Sequence, residues 1–217
     1  MAEFLVHLSQ AKHNESMAEF LLDKPYYDWA ITGCFYSAIH YFEARLFIEF
    51  AENDKKHSET SIPLDEKGEW IYTTHRWRER LVQDHFSRAT WISFRNLREA
   101  SELARYLSYY PKRSRVVFKE IPSYEIFQPK NAQNSVKKDL QDIKKGFRIE
   151  LGEFLYGLEM EKSSWLKASL VIHKLLDNFS SKEEILQQGK SALVECLSND
   201  EIDFFEQHLK LKGYQLN

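Results

Sequence analysis

Tyr27-Asp28-Trp29-Ala30, followed by Cys34-Phe35-Tyr36-Ser37-Ala38-Ile39-His40-Tyr41-Phe42-Glu43-Ala44, is the stretch that decides the fold. Trp29, Tyr36, His40, Ala44 and Phe47 lie along one helical stripe, and Ala30, Cys34, Ala38 and Tyr41 lie along a second. The spacing predicts a helix from Asp28 to about Ala51. A helix apolar over so wide an arc belongs at the centre of a bundle. Trp29, Tyr36 and, further on, Ala104 are therefore expected inside it.

Working outward, a first helix is expected from Glu3 to Leu22, with Phe4, Leu8, Ala11, Ala18 and Leu22 on or near one stripe. Asp23-Lys24-Pro25 stops it, because proline lacks an amide donor and restricts the residue before it. Residues 52–66 are polar and read as an exposed loop. A third helix is expected from about Lys67 to Phe86, and a fourth from about Thr90 to Tyr109, closed by Pro111. Four helices suffice for an antiparallel bundle over residues 1–110. Residues 111–130 carry Pro111, Pro122 and Pro129 and read as a linker or arm with room for one short strand. Helical signals return over residues 131–217. A lysine-rich helix is expected from Asn134 to Glu161, bent at Gly146, Gly152 or Gly157. Ser163 is expected to cap a helix to about Asn178. Ser181-Lys182-Glu183-Glu184 and Ser198-Asn199-Asp200-Glu201 match capping boxes opening two more, and Gly213 suits a helix end. The fold class is all-α.

Composition agrees. Only 7 Gly and 5 Pro among 217 residues are too few for the tight turns of an all-β chain. Such a chain buries roughly 70% of its unfolded surface and needs no disulfide or metal to fold. Cys34 and Cys196 sit in apolar helical patterns without CxxC or Cys/His spacing, so both read as buried thiols. Residues 1–110 carry 13 Lys and Arg against 17 Asp and Glu, so this half is no polycation. Only local basic patches suit nucleic acid. Met1-Ala2-Glu3-Phe4 lacks the basic region of a signal peptide, and no uncharged apolar run reaches the roughly 18 residues of a membrane span. A cytoplasmic, membrane-free protein is expected.

Three segments also carry a resemblance. The Trp29-Ala30, Phe35-Tyr36-x-Ala38-x-His40 and Ala44 pattern resembles the long second helix of the HEPN (higher eukaryotes and prokaryotes nucleotide-binding) family. Ala18-Glu19-Phe20-Leu21-Leu22 resembles the end of that family's first helix. Phe94-x2-Leu97-x3-Ser101-x2-Ala104-Arg105-Tyr106 is similar to its closing helix, with Phe94 in place of a Tyr. His75-x2-Arg78-x3-Val82 is similar to a segment of some members. The resemblance spans about residues 15–108. It implies a HEPN-like four-helix bundle that often forms homodimers, with residues 131–217 as a helical extension. Many members are metal-independent ribonucleases with an Arg-x4-6-His motif. Others lack the motif and serve as nucleotide, RNA or protein-binding modules in toxin–antitoxin, stress or defence systems.

The chemistry of the residues favours the second kind. Arg95-Asn96 begins the motif, but Ala100 stands where its imidazole would be, and loss of such a group typically costs about 10²–10⁴-fold in rate. Arg80-x4-His85 and Arg78-x6-His85 meet the spacing, so Arg78, Arg80 and His85 remain catalytic candidates beside the plainer reading of His85 as a surface histidine. His75 and Arg78 share a helix face and suit a phosphate, or else an interhelical hydrogen bond. Arg95, Arg98 and Arg105 add cations on the fourth helix. Lys112, Arg113 and Arg115, with Phe118, Tyr109 and Tyr110 nearby, combine charge with stacking surfaces as single-stranded nucleic acid requires. No metal spacing and no cofactor loop is present. The leading expectation is a non-catalytic binding module. A ribonuclease is the first alternative, and an oligomeric protein–protein scaffold, suggested by the 15 Phe, 11 Tyr and 5 Trp, is the second.

Overall fold

The computed structural model describes residues 2–50, 74–105 and 123–216, whose regular structure is helical, with no strand among them. The expected loop 52–66, the start of the third helix, and Lys112, Arg113 and Arg115 lie outside the described residues. Helices α1 (Ala2–Leu22), α2 (Tyr27–Phe50), α3 (Thr74–His85) and α4 (Arg88–Arg105) come first. A short α5 (Ser123–Ile126) is followed by α6 (Pro129–Asn134), a π-helical turn (Ser135–Asp139) and α7 (Leu140–Gly146). Then come α8 (Ile149–Gly157), α9 (Trp165–Asn178), α10 (Lys182–Leu193) and α11 (Asn199–Leu211). Two compact units result, one drawn from Leu5–Glu43 and Thr60–Phe147, the other from Met1–Phe4, Ala44–Glu59 and Arg148–Asn217. Residues 123–147 thus pack with the first four helices. No described helix is long and apolar enough to cross a membrane.

In the N-terminal unit, Leu8, Ala11 and Ala18 bury one face of α1, as its stripe requires. Ala30, Cys34, Ala38 and Tyr41 of α2 are fully buried, together with Ile31, Phe35 and Phe42. The other stripe of α2 corrects the sequence reading: Trp29 is 59% exposed, and Tyr36 and His40 are half-buried. Trp29 lies on the face occupied by Gly33, Tyr36 and His40, away from the aliphatic side. Gly33 lets α1 approach there, since a Cβ would stand 3.0 Å from Met17 Cε. Ala104 is buried, as expected, beside Ile31, Phe127 and Ala132.

Aromatic rings fill the centre of this unit. Phe94 of α4 meets Phe35 at 5.9 Å and Phe42 at 6.0 Å between centroids, and Phe147 meets Phe42 at 5.7 Å and Phe86 at 4.7 Å. Such spacings favour edge-to-face contact, which adds to simple burial. Ser87 opens α4 by accepting the Thr90 amide, giving one orphan donor of the first turn a partner. At the edge of the core, Glu15 accepts from Tyr41 at 2.5 Å and from Lys144 at 3.0 Å, tying α1, α2 and α7 together. The Cys34 thiol donates to the Ser135 carbonyl at 3.3 Å within the π turn, and burial pushes its pKa well up.

The C-terminal unit differs from its sequence reading in detail. The single lysine-rich helix expected from Asn134 to Glu161 is broken after Gly146, where Arg148 takes a left-handed backbone (φ 54°) and starts α8. The cap of α9 is Ser164, whose hydroxyl accepts from the Lys167 amide, and not Ser163. Ser163 instead pairs with the buried imidazole of His208 at 2.9 Å. Ser181 caps α10 as expected, and Glu201 accepts the Ser198 amide at 2.7 Å while holding the Lys174 ammonium at 2.8 Å. Cys196 is half-buried and free.

Candidate anion-binding site

α3 presents His75, Arg78 and Glu79 within one turn, so one short helix supplies an imidazole, a guanidinium and a carboxylate. On α2, Tyr36, His40 and Glu43 recur every three to four residues and share a face. On α4, Arg98, Glu102 and Arg105 do the same. All of these residues belong to the N-terminal unit, and the charged faces they form interlock.

Arg78 Nε donates to Glu43 Oε1. Arg98, only 7% exposed, donates to Glu79 at 2.5 Å and to Glu102 at 2.6 Å, and approaches Glu99 at 3.5 Å. Burial works against the Arg98 charge, but its hydrogen bonds to Glu102 and Glu79 outweigh that and its pKa is raised. Arg105 donates to the Tyr36 hydroxyl at 3.2 Å and lies 5.7 Å from that ring's centroid. His75 stands edge-on to Phe35 and Tyr36, at 5.3 and 6.1 Å, and its buried Nδ1 has no hydrogen-bond partner among the described residues. Burial and then the nearby Arg78, Arg105 and Arg98 lower its pKa against the opposing pull of Glu102. His40 shares a 3.1 Å hydrogen bond with His7 of α1, and burial and His7 lower its pKa too.

The cluster therefore holds three guanidinium groups and three imidazoles balanced by carboxylates. Planar guanidinium forks suit phosphate or carboxylate oxygens, and an unprotonated imidazole beside them is a ready proton acceptor. Replacing Arg98 by methionine keeps the stem but leaves Glu79 and Glu102 without the cation they share. Glu79 is partly shielded and Glu102 is 39% exposed, so solvent offsets some of the loss and the change should cost about 2 kcal/mol. Urea unfolding measures it; a loss below about 1 kcal/mol would mean that the pairs are solvent-screened and hold nothing.

The other sequence candidates fall elsewhere. Arg80 turns to Asp84 at 2.9 Å and to Gln83 at 3.3 Å on the exposed side of α3. His85 is exposed at the helix end. Arg78 and Arg80 are thus engaged by carboxylates on different helices, α2 and α3. Arg95 pairs with Glu99 at 3.0 Å and lies 5.7 Å from the Trp91 ring centroid. Sequence reading missed His7, Glu43, Glu79 and Glu102. Glu43 stood one turn from His40, but only tertiary packing reveals which arginine it meets. Among the described residues no cluster of three or more His, Cys, Asp or Glu side chains is arranged to hold a metal ion.

No protein-family model, curated protein or solved structure matches the chain.

Proposed function

We propose that the N-terminal unit is a HEPN-like helical bundle acting as a non-catalytic binding module for a phosphate-bearing ligand, a nucleotide or RNA. The observation that carries this reading is the gathering of His75, Arg78, Arg98 and Arg105 from α3 and α4 beside Tyr36 of α2. A phosphate entering there exchanges its oxygens for those of Glu43, Glu79 or Glu102 as guanidinium partners. Support for the lack of catalysis comes from Ala100 at the motif's histidine position and from the separate carboxylate partners of Arg78 and Arg80.

The test uses the full chain with labelled single-stranded RNA, with and without chelator. Binding without cleavage is expected, weakened about tenfold or more in Arg105→Ala, since hydrogen bonds to charged groups are each worth roughly 1.5–3 kcal/mol. His85→Ala should leave binding unchanged. Metal-independent cleavage that disappears in His85→Ala would replace this reading with a ribonuclease.

A further inference from the structure

The imidazoles of this cluster have a use that simple anion binding leaves unexplained. We infer that the site binds anions together with protons: an anionic group entering among Arg78, Arg98 and Arg105 draws protons onto His75 and His40, so acidification tightens binding. The inference rests on the anion-site reading above and deepens it.

Three observations combine. First, each arginine is already engaged: Arg78 by Glu43, Arg98 by Glu79 and Glu102, Arg105 by Tyr36 and the Ser101 carbonyl. An incoming anion must compete with those carboxylates, and extra positive charge in the cluster shifts that competition in its favour. Second, His75 and His40 are the groups positioned to supply such charge. Facing His75 are Arg78 from its own helix, Glu102, Arg98 and Arg105 from α4, and Phe35 and Tyr36 from α2. Facing His40 are His7 from α1, Glu43 from α2 and Arg78 from α3. Third, burial lowers the proton affinity of both imidazoles, and among the described residues the buried Nδ1 of His75 has no internal partner to commit it.

An opposite charge within about 4–6 Å favours the protonated imidazole, reversing the influence of the arginines. Linkage fixes the sign. A histidine whose folded pKa lies below its unfolded one contributes stability above the unfolded value, about 6.5, and loses it as pH falls below that. The ligand-free unit should therefore weaken on acidification, while the anion-bound unit is relieved of that cost. For each proton taken up on binding, affinity changes by up to about tenfold per pH unit.

The probe is a rhodamine-labelled oligouridylate, whose phosphodiesters do not titrate in this range. Its affinity should tighten at least about fivefold between pH 7.5 and pH 5.5, with proton uptake visible as a buffer-dependent binding enthalpy. The His40→Gln/His75→Gln double variant should flatten the slope, and exposed His13→Gln should keep it. Should the double variant fail to fold, imidazole NMR titration of the unaltered chain decides: the His75 and His40 resonances must titrate at higher pH with the oligonucleotide than without it. Binding with no pH slope, or a slope that survives the double variant, overturns the inference and leaves the proposed function standing. No binding at any pH overturns the anion-site reading itself.

Discussion

Truncating Phe94 to alanine should lower the unfolding free energy by about 4 kcal/mol, measured by urea titration. Its ring is wholly buried and lies against Phe35 and Phe42, so removal leaves a void that α2 and α4 cannot both close. Lost transfer energy and the residual cavity act together. Against a usual total of roughly 5–15 kcal/mol, the variant would stand near the edge of folding. Phe94→Leu keeps most of the volume and should cost much less. If the alanine variant lost under about 1 kcal/mol, Phe94 would not be the centre of this unit's core.

Gly146→Ala should cost about 3 kcal/mol, although glycine to alanine within a helix ordinarily gains up to about 1. The reason is Thr90: a Cβ on residue 146 would stand 2.0 Å from its Oγ1, 2.6 Å from its Cγ2 and 2.8 Å from its Cβ. Thr90 is buried and its hydroxyl is held by Ser87 at 2.9 Å, so it has little freedom to swing aside. Adding Thr90→Ala removes the two nearest atoms, and the double variant should recover part of the loss. A Gly146→Ala protein as stable as its parent would show that α4 and α7 do not pack this closely.

How far the sequence foretold this molecule depended on the kind of signal. Periodicity located α1 and α2 within a few residues and picked the buried stripe of Ala30, Cys34, Ala38 and Tyr41. It failed at Trp29, where two stripes on one helix compete for the core and size does not decide which wins. Ile31, on the opposite side of the helix, packs with Ala104, Phe127 and Ala132, so Trp29 stays outside. Local capping chemistry placed Ser181 and Ser198 correctly but chose Ser163 over Ser164, since adjacent serines offer the same hydroxyl one residue apart. In the candidate site, His75, Arg78, Arg98 and Arg105 were legible as residue types at helical spacing. Their carboxylate partners were not, because Glu43, Glu79 and Glu102 acquire meaning only once three helices meet.

The π turn at Ser135–Asp139 bears on how chain length relates to packing here. Buried positions Ala132, Val136, Leu140, Ile143 and Phe147 are spaced 4, 4, 3 and 4 apart. A plain α-helix would drift about 60° over that span. The wider turn absorbs the surplus and behaves as one residue spliced into a helix. Excising one exposed lysine, Lys137 or Lys138, would restore a regular helix. Leu140, Ile143 and Phe147 would keep their shared line, because the wide turn already takes up that residue's rotation of about 100°. In this segment the backbone carries one residue more than a regular helix needs without turning its inward side chains outward.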